Sequence, residues 1–141
     1  MASTTAMCTS FKGELLQAVH NFTATTGHVF KVALYTSSAT NGAATTAYSA
    51  TNEVSGTGYV AGGFAFTAAQ NITPLTSGTG AYTSWSVNPS WTTATFTAAS
   101  CLFYNSSSGN KAVAVFDFGG NQTVTAGTFT IGVGTSVIQL N

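Results

Sequence analysis

The chain has 141 residues with three Lys, no Arg, two Glu and one Asp, so its formal net charge is zero and only 4% of its residues are charged. An ordinary soluble domain carries about 25%; here hydroxyl groups stand in place of charge, with 26 Thr and 15 Ser beside 21 Ala and 15 Gly. Three cations cannot displace the counterions of a phosphate backbone, which excludes nucleic-acid binding, the 17 aromatic residues exclude disorder, and polar residues break every apolar run too early for a membrane helix.

The length suits one domain, residues 1–141, able to bury about two-thirds of its unfolded surface. Met1 to Cys8 has neither a basic region nor an apolar core, so we expect no secretory signal, synthesis in the cytoplasm, and reduced thiols at Cys8 and Cys101. The spacing leaves a Cys8–Cys101 disulfide open. Residues 1–9 read as a flexible arm. From Ser10 the apolar residues Phe11, Leu15, Ala18, Val19 and Phe22 share one face at helical spacing, predicting a helix over residues 10–22 with Ser10 as its N-cap.

After Gly27 the period becomes two. Phe30, Val32 and Leu34 point one way and Lys31 and Tyr35 the other, which predicts a strand. Thr36 to Thr57 is a Ser/Thr/Ala-rich stretch with only Tyr48, Glu53 and Val54 as anchors. A loop of about 22 residues is too long to be ordered by its own domain, so we expect it to contact a partner. Strands are expected within Gly58–Gly63, Gly63–Ala68, Ala81–Val87, Trp91–Ala99 and Cys101–Tyr104, with a turn at Asn105–Asn110. Lys111 to Phe118 reads as a central strand. Gly119-Gly120-Asn121 and Ala126-Gly127 read as turns separating Gln122–Thr125 and Thr128–Val133, and Ser136–Leu140 closes the chain. Short strands with regular turns predict an all-β fold: an antiparallel, jelly-roll-like β-sandwich with one N-terminal α-helix. Its expected core is Phe30, Val32, Leu34, Phe64, Phe66, Phe96, Val113, Val115, Phe116, Phe129 and Ile131. Asn-x-Ser/Thr triplets at Asn21, Asn71, Asn105 and Asn121 follow from the Ser/Thr content alone.

Catalysis needs titratable groups brought together in a pocket. The acids and imidazoles are Glu14, Glu53, Asp117, His20 and His28. On one helix Glu14 and His20 lie about 120° apart and do not face each other. His20 and His28 flank a turn and can meet, but two imidazoles without a carboxylate make a weak metal site. Asp117 precedes two glycines and reads as a cap for that turn. There is no Gly-x-Ser-x-Gly and no phosphate loop. The sequence thus predicts no enzyme, no catalytic, metal or cofactor-binding residues and no cofactor. Trp85, Trp91, Tyr82 and Tyr104 are candidates for a glycan-stacking face, against which stands the ordinary use of aromatics in a sandwich core. A surface nearly without charge suits a subunit covered by copies of itself or by a partner.

In this order, Phe11-Lys-Gly-Glu-Leu-Leu, His20-Asn-Phe22, Phe30-Lys-Val-Ala-Leu-Tyr-Thr36, Gly58-Tyr-Val-Ala-Gly-Gly63, Trp91, Leu102-Phe-Tyr-Asn105, Val115-Phe-Asp-Phe-Gly-Gly120 and Thr123-Val-Thr-Ala-Gly-Thr-Phe-Thr130 resemble the small capsid-decoration (cement) proteins of tailed bacteriophages. The resemblance implies a jelly-roll-like subunit on the outer surface of an icosahedral head in the virion. It would clamp major capsid protein subunits, with no catalytic residues to carry over. We expect a homo-oligomer, a dimer ahead of a trimer, without nucleic-acid or membrane partners. The alternative is a tail-fibre or receptor-binding head domain that recognises a host glycan.

Overall fold

The alternation of β-branched and aromatic residues with small ones builds eight strands among the described residues, which in this computed structural model are 2–67, 73–132 and 136–140. Strand makes up 47% of the structure, in antiparallel sheets beside one short helix: an all-β sandwich with an N-terminal helix. The larger sheet has five strands: β1 (Ala6–Met7), β2 (Phe30–Tyr35), β3 (Phe64–Ala65), β6 (Ser90–Asn105) and β7 (Lys111–Thr130), in the order β1-β7-β6-β2-β3. The smaller joins β4 (Thr73–Ser77), β5 (Gly80–Ser84) and β8 (Ile138–Leu140) in the order β4-β5-β8. Trp85, just after β5, ties the two together through ring contacts with Phe66, Phe103 and Phe116. Asn71 and the ends of two expected strands, at Ala68 and Val133, lie outside the described residues.

The helix α1 spans Thr9–Leu16, not 10–22. Cys8 precedes it in extended conformation, and Ser10 lies inside it rather than at its N-cap. It stops because Ala18 takes φ 57°. The Ala18 N–H then donates to the Leu15 carbonyl and the Val19 N–H to the Glu14 carbonyl, the paired bonds of a Schellman end. Eight residues make a marginal helix on their own. Packing decides its length: Phe22 leaves the helical path to stack on Phe30 at a centroid distance of 4.6 Å.

The N-terminal residues form no free arm. Ala6 and Met7 pair with Val115 and Ala114. Ser3 is buried; its hydroxyl donates to the Ala39 carbonyl and accepts from Ser100. In β2, Tyr35 is as buried as Leu34, because the Thr36–Thr57 stretch covers the face expected to be outward: the Tyr35 hydroxyl donates to the Ser49 carbonyl and Tyr48 stacks on Tyr104 beside it. β6 runs unbroken where two strands were expected, and β7 absorbs all three expected C-terminal segments up to Thr130. The glycines act as bulges rather than turns. Between the pairs Ser100↔Asp117 and Ala98↔Gln122, β7 carries three more residues than β6, and Gly119 and Gly120 there have φ 78° and 146°. Seven of the expected core residues are buried, whereas Phe64, Phe116, Phe129 and Ile131 are only half-buried. The extra residues re-aim side chains along β7, so a strict period-two count loses the core face there.

The Thr36–Thr57 stretch is ordered by its own domain, contrary to the sequence expectation. Ala39 and Val54 are buried, the Thr4 N–H donates to Asn41, the Val54 N–H to Leu34, and the Ala112 N–H to Thr46. Single-residue bridges join Glu53 to Tyr35 and Ala47 to Lys111.

Candidate functional site

Three features gather the chemistry-bearing groups. The first grows from the early end of α1. Because the chain turns back at Ala18, His20 returns against its own helix, and its Nε2 lies 2.7 Å from Glu14 Oε2. The expectation that these residues do not meet assumed a helix continuing through His20, and the αL residue removes that premise. Glu14 Oε1 accepts from Lys111 Nζ at 3.0 Å. Burial alone would raise the Glu14 carboxyl, but the bonds from His20 and Lys111 outweigh it and hold the group below the usual carboxylate range. His20 is closed off, its side chain 0% exposed against the rings of Phe11 and Phe22. Its Nδ1 lies 3.1 Å from Asn105 Nδ2, and His28 Nδ1 approaches the same Nδ2 at 2.8 Å. The two imidazoles do come together, across the Asn105 amide. Asn105 is fully buried, and its side chain was missed in the sequence because Asn105-Ser-Ser-Ser-Gly reads as a turn.

The second feature is centred on Glu53. Its Oε2 accepts from the Tyr48 hydroxyl at 2.7 Å, and its Oε1 from the Tyr59 hydroxyl at 2.6 Å and the Gly62 N–H at 2.7 Å. Tyr59 also accepts from the Leu34 N–H, and Tyr104 donates to the Gly62 carbonyl while stacking on Tyr48. The turn works because Gly63 has φ 78° and lies against β2; a Cβ there would sit 1.9 Å from the Val32 carbonyl oxygen. Burial first, and the Glu53 carboxylate second, push the Tyr48 phenol up to about 12 and Tyr59 further still. A carboxylate held by three donors fastens the long loop to β2 and to the Gly62 turn.

The third feature is an apolar groove of about 160 Å³ between α1 and the small sheet, lined by Phe11, Leu15, Phe22, Tyr82, Ile138 and Leu140 among others, and by neither Glu14 nor His20. Leu140 in its lining is 46% exposed, and Leu16, next in the chain to the lining residue Leu15, is 91% exposed. Of the glycan-stacking candidates, Trp85, Trp91 and Tyr104 are buried in the core, and only Tyr82 is half-exposed.

Asp117 is exposed, and its Oδ1 accepts from the Gly119 N–H at 3.3 Å, the local bond expected from the sequence, here within the bulge of β7 rather than at a turn. Cys8 and Cys101 are separate buried thiols, pushed up by burial to about 11 and about 12. Among the described residues no three His, Cys, Asp or Glu side chains are grouped to hold a metal ion, and no helix is long and apolar enough to cross a membrane. Comparison with protein-family models, curated proteins and solved structures found no match.

Proposed function

We propose that the chain is a non-enzymatic structural subunit that binds the outside of a tailed-bacteriophage head and holds neighbouring major capsid subunits together. The observation that carries this reading is where the few charges go. Glu14 and Lys111 pair with each other and Glu53 is spent on two tyrosines and a backbone amide. Lys12 and Asp117 remain exposed and Lys31 half-buried, set among hydroxyl, amide and apolar side chains. Such a surface favours permanent cover over free diffusion, since interface cores are poor in Lys, Glu and Asp. The ordered motifs that resemble cement proteins point the same way. Weak contacts repeated over a closed lattice add up through multivalency.

The groove, with the exposed Leu140 in its lining and the exposed Leu16 next in the chain to the lining residue Leu15, is the contact face in this reading, replacing the internally fastened Thr36–Thr57 loop. Exposed apolar side chains clustered at one place mark interaction surfaces. The test is rebinding of the purified chain to heads assembled without it. We expect many copies per particle, retention in high salt, and release by guanidinium, because little of the contact rests on screened charge. Leu16→Glu should abolish rebinding while leaving the free chain folded, since so exposed a side chain contributes little to stability. A handful of copies per particle, or release by salt alone, would sink the reading; unimpaired rebinding of Leu16→Glu would remove the groove from it.

A further inference from the structure

The network around Asn105 uses its donors and acceptors in only one way. The Ser107 N–H donates to Asn105 Oδ1 at 3.1 Å, which turns the amide so that Nδ2 faces both imidazoles. The Asn21 N–H donates to His28 Nδ1 at 3.4 Å, and a backbone N–H can only donate. His28 Nδ1 is therefore a lone pair, and its proton sits on Nε2. His20 has the same tautomer, with Nε2–H directed at Glu14 and Nδ1 accepting from Asn105. A proton added to either ring must go to Nδ1, where it meets the Asn105 NH₂ and, at His28, the Asn21 N–H.

We propose that His20, His28 and Asn105 form an acid-sensitive latch, which clips the connection between α1 and β2 onto the turn between β6 and β7 and opens when the imidazoles take up protons. Flipping the amide is no escape, because it would set NH₂ against the Ser107 N–H. The remaining charged groups here are Glu14 of α1 and Lys111 of β7. Glu14 favours a charged His20, but it acts at Nε2, leaves the clash at Nδ1 in place, and shares its charge with Lys111. The rest of the surround is the apolar rings of Phe11 and Phe22. The clipped segment has a closed base, in which the His28 N–H donates to the Asn21 carbonyl and the Gly27 N–H to Thr23. It also carries a non-glycine residue, Thr25, at φ 66°, a conformation held by its surroundings. Beyond the latch it is tied to the β6–β7 turn at Val29, bonded to Ser106 and Ser107.

His20 and His28 are the chain's only imidazoles, so a change between about pH 7.5 and about pH 5.5 reports on them. A proton on Nδ1 of either ring faces only donors in the closed form and finds an acceptor in water once the segment opens, so acid favours opening. The experiment is amide hydrogen exchange across that range, corrected for intrinsic rates. We expect the opening constants of Asn21, Gly27 and His28 to rise by roughly tenfold per pH unit for each proton taken up, with β2 amides unchanged. In a His20→Gln/His28→Gln double variant, whose side-chain oxygens still accept from Asn105, the dependence should vanish. Nitrogen NMR of the wild-type rings should show both protons on Nε2 at neutral pH and loss of the Asn105 side-chain signals as the rings titrate. Persistence of the pH dependence in the double variant, or imidazole titration with the Asn105 signals unmoved, would overturn the latch.

Discussion

At the residue scale, Glu53 shows how one carboxylate organises a stretch of chain that its composition marks as loop. Removing it leaves two phenols and the Gly62 N–H without their acceptor. Glu53→Ala should therefore cost about 3 kcal/mol in a denaturant titration, more than a surface carboxylate. Four of the five tyrosines, Tyr35, Tyr48, Tyr59 and Tyr104, are raised chiefly by burial. Their folded phenols hold protons that the unfolded chain releases near pH ~10. Their contribution is intact below that value and lost as the pH rises above it. We expect alkaline unfolding and the phenolate absorbance of these four tyrosines to appear in one cooperative step.

At the element scale, the end of α1 is the point on which the Asn105 network turns. Ala18 occupies the left-handed position that a Schellman end ordinarily gives to glycine. Ala18→Gly should raise stability by up to about 1 kcal/mol, the left-handed strain of alanine less the extra chain entropy of glycine. A loss instead would mean that this turn is not formed. The paired strands β6 and β7 supply the centre of the sandwich. Phe103 is fully buried and contacts Phe30, Phe66 and Trp85. Phe103→Ala should cost about 3–5 kcal/mol. The half-buried Phe116 should cost clearly less on truncation, and equal losses by denaturant unfolding would contradict the register of β7.

At the scale of the whole molecule, the fold is closed by contacts between distant parts of the chain. The N-terminal residues sit on β7 and on the Ala39–Ala43 region, and this encloses the Cys8 thiol, while Cys101 is buried within β6. Cys8 also directs its thiol at the Gly42 carbonyl at 3.8 Å. Buried, with thiols raised to about 11 and about 12, Cys8 and Cys101 should react with a thiol reagent only as fast as the fold opens. Two equivalents should be taken up in denaturant and almost none in native buffer. Rapid labelling of Cys8 in the native state would mean that the N-terminal segment detaches readily.

By itself the sequence determined the class of fold. Its periods of two make antiparallel strands whichever neighbours they find, and its poverty of charge is independent of folding. It also determined the bond of Asp117 to the backbone that follows, because that bond spans two residues and needs only local geometry. Tertiary structure decided the rest. Whether Gly119-Gly120 ends a strand or bulges it depends on a partner strand already in register. The meeting of Glu14 with His20 depends on a helix cut short by the packing of Phe22, and that of His20 with His28 on an asparagine more than seventy positions away. Those contacts arise from burial shared between remote segments, and no local window of sequence contains that quantity.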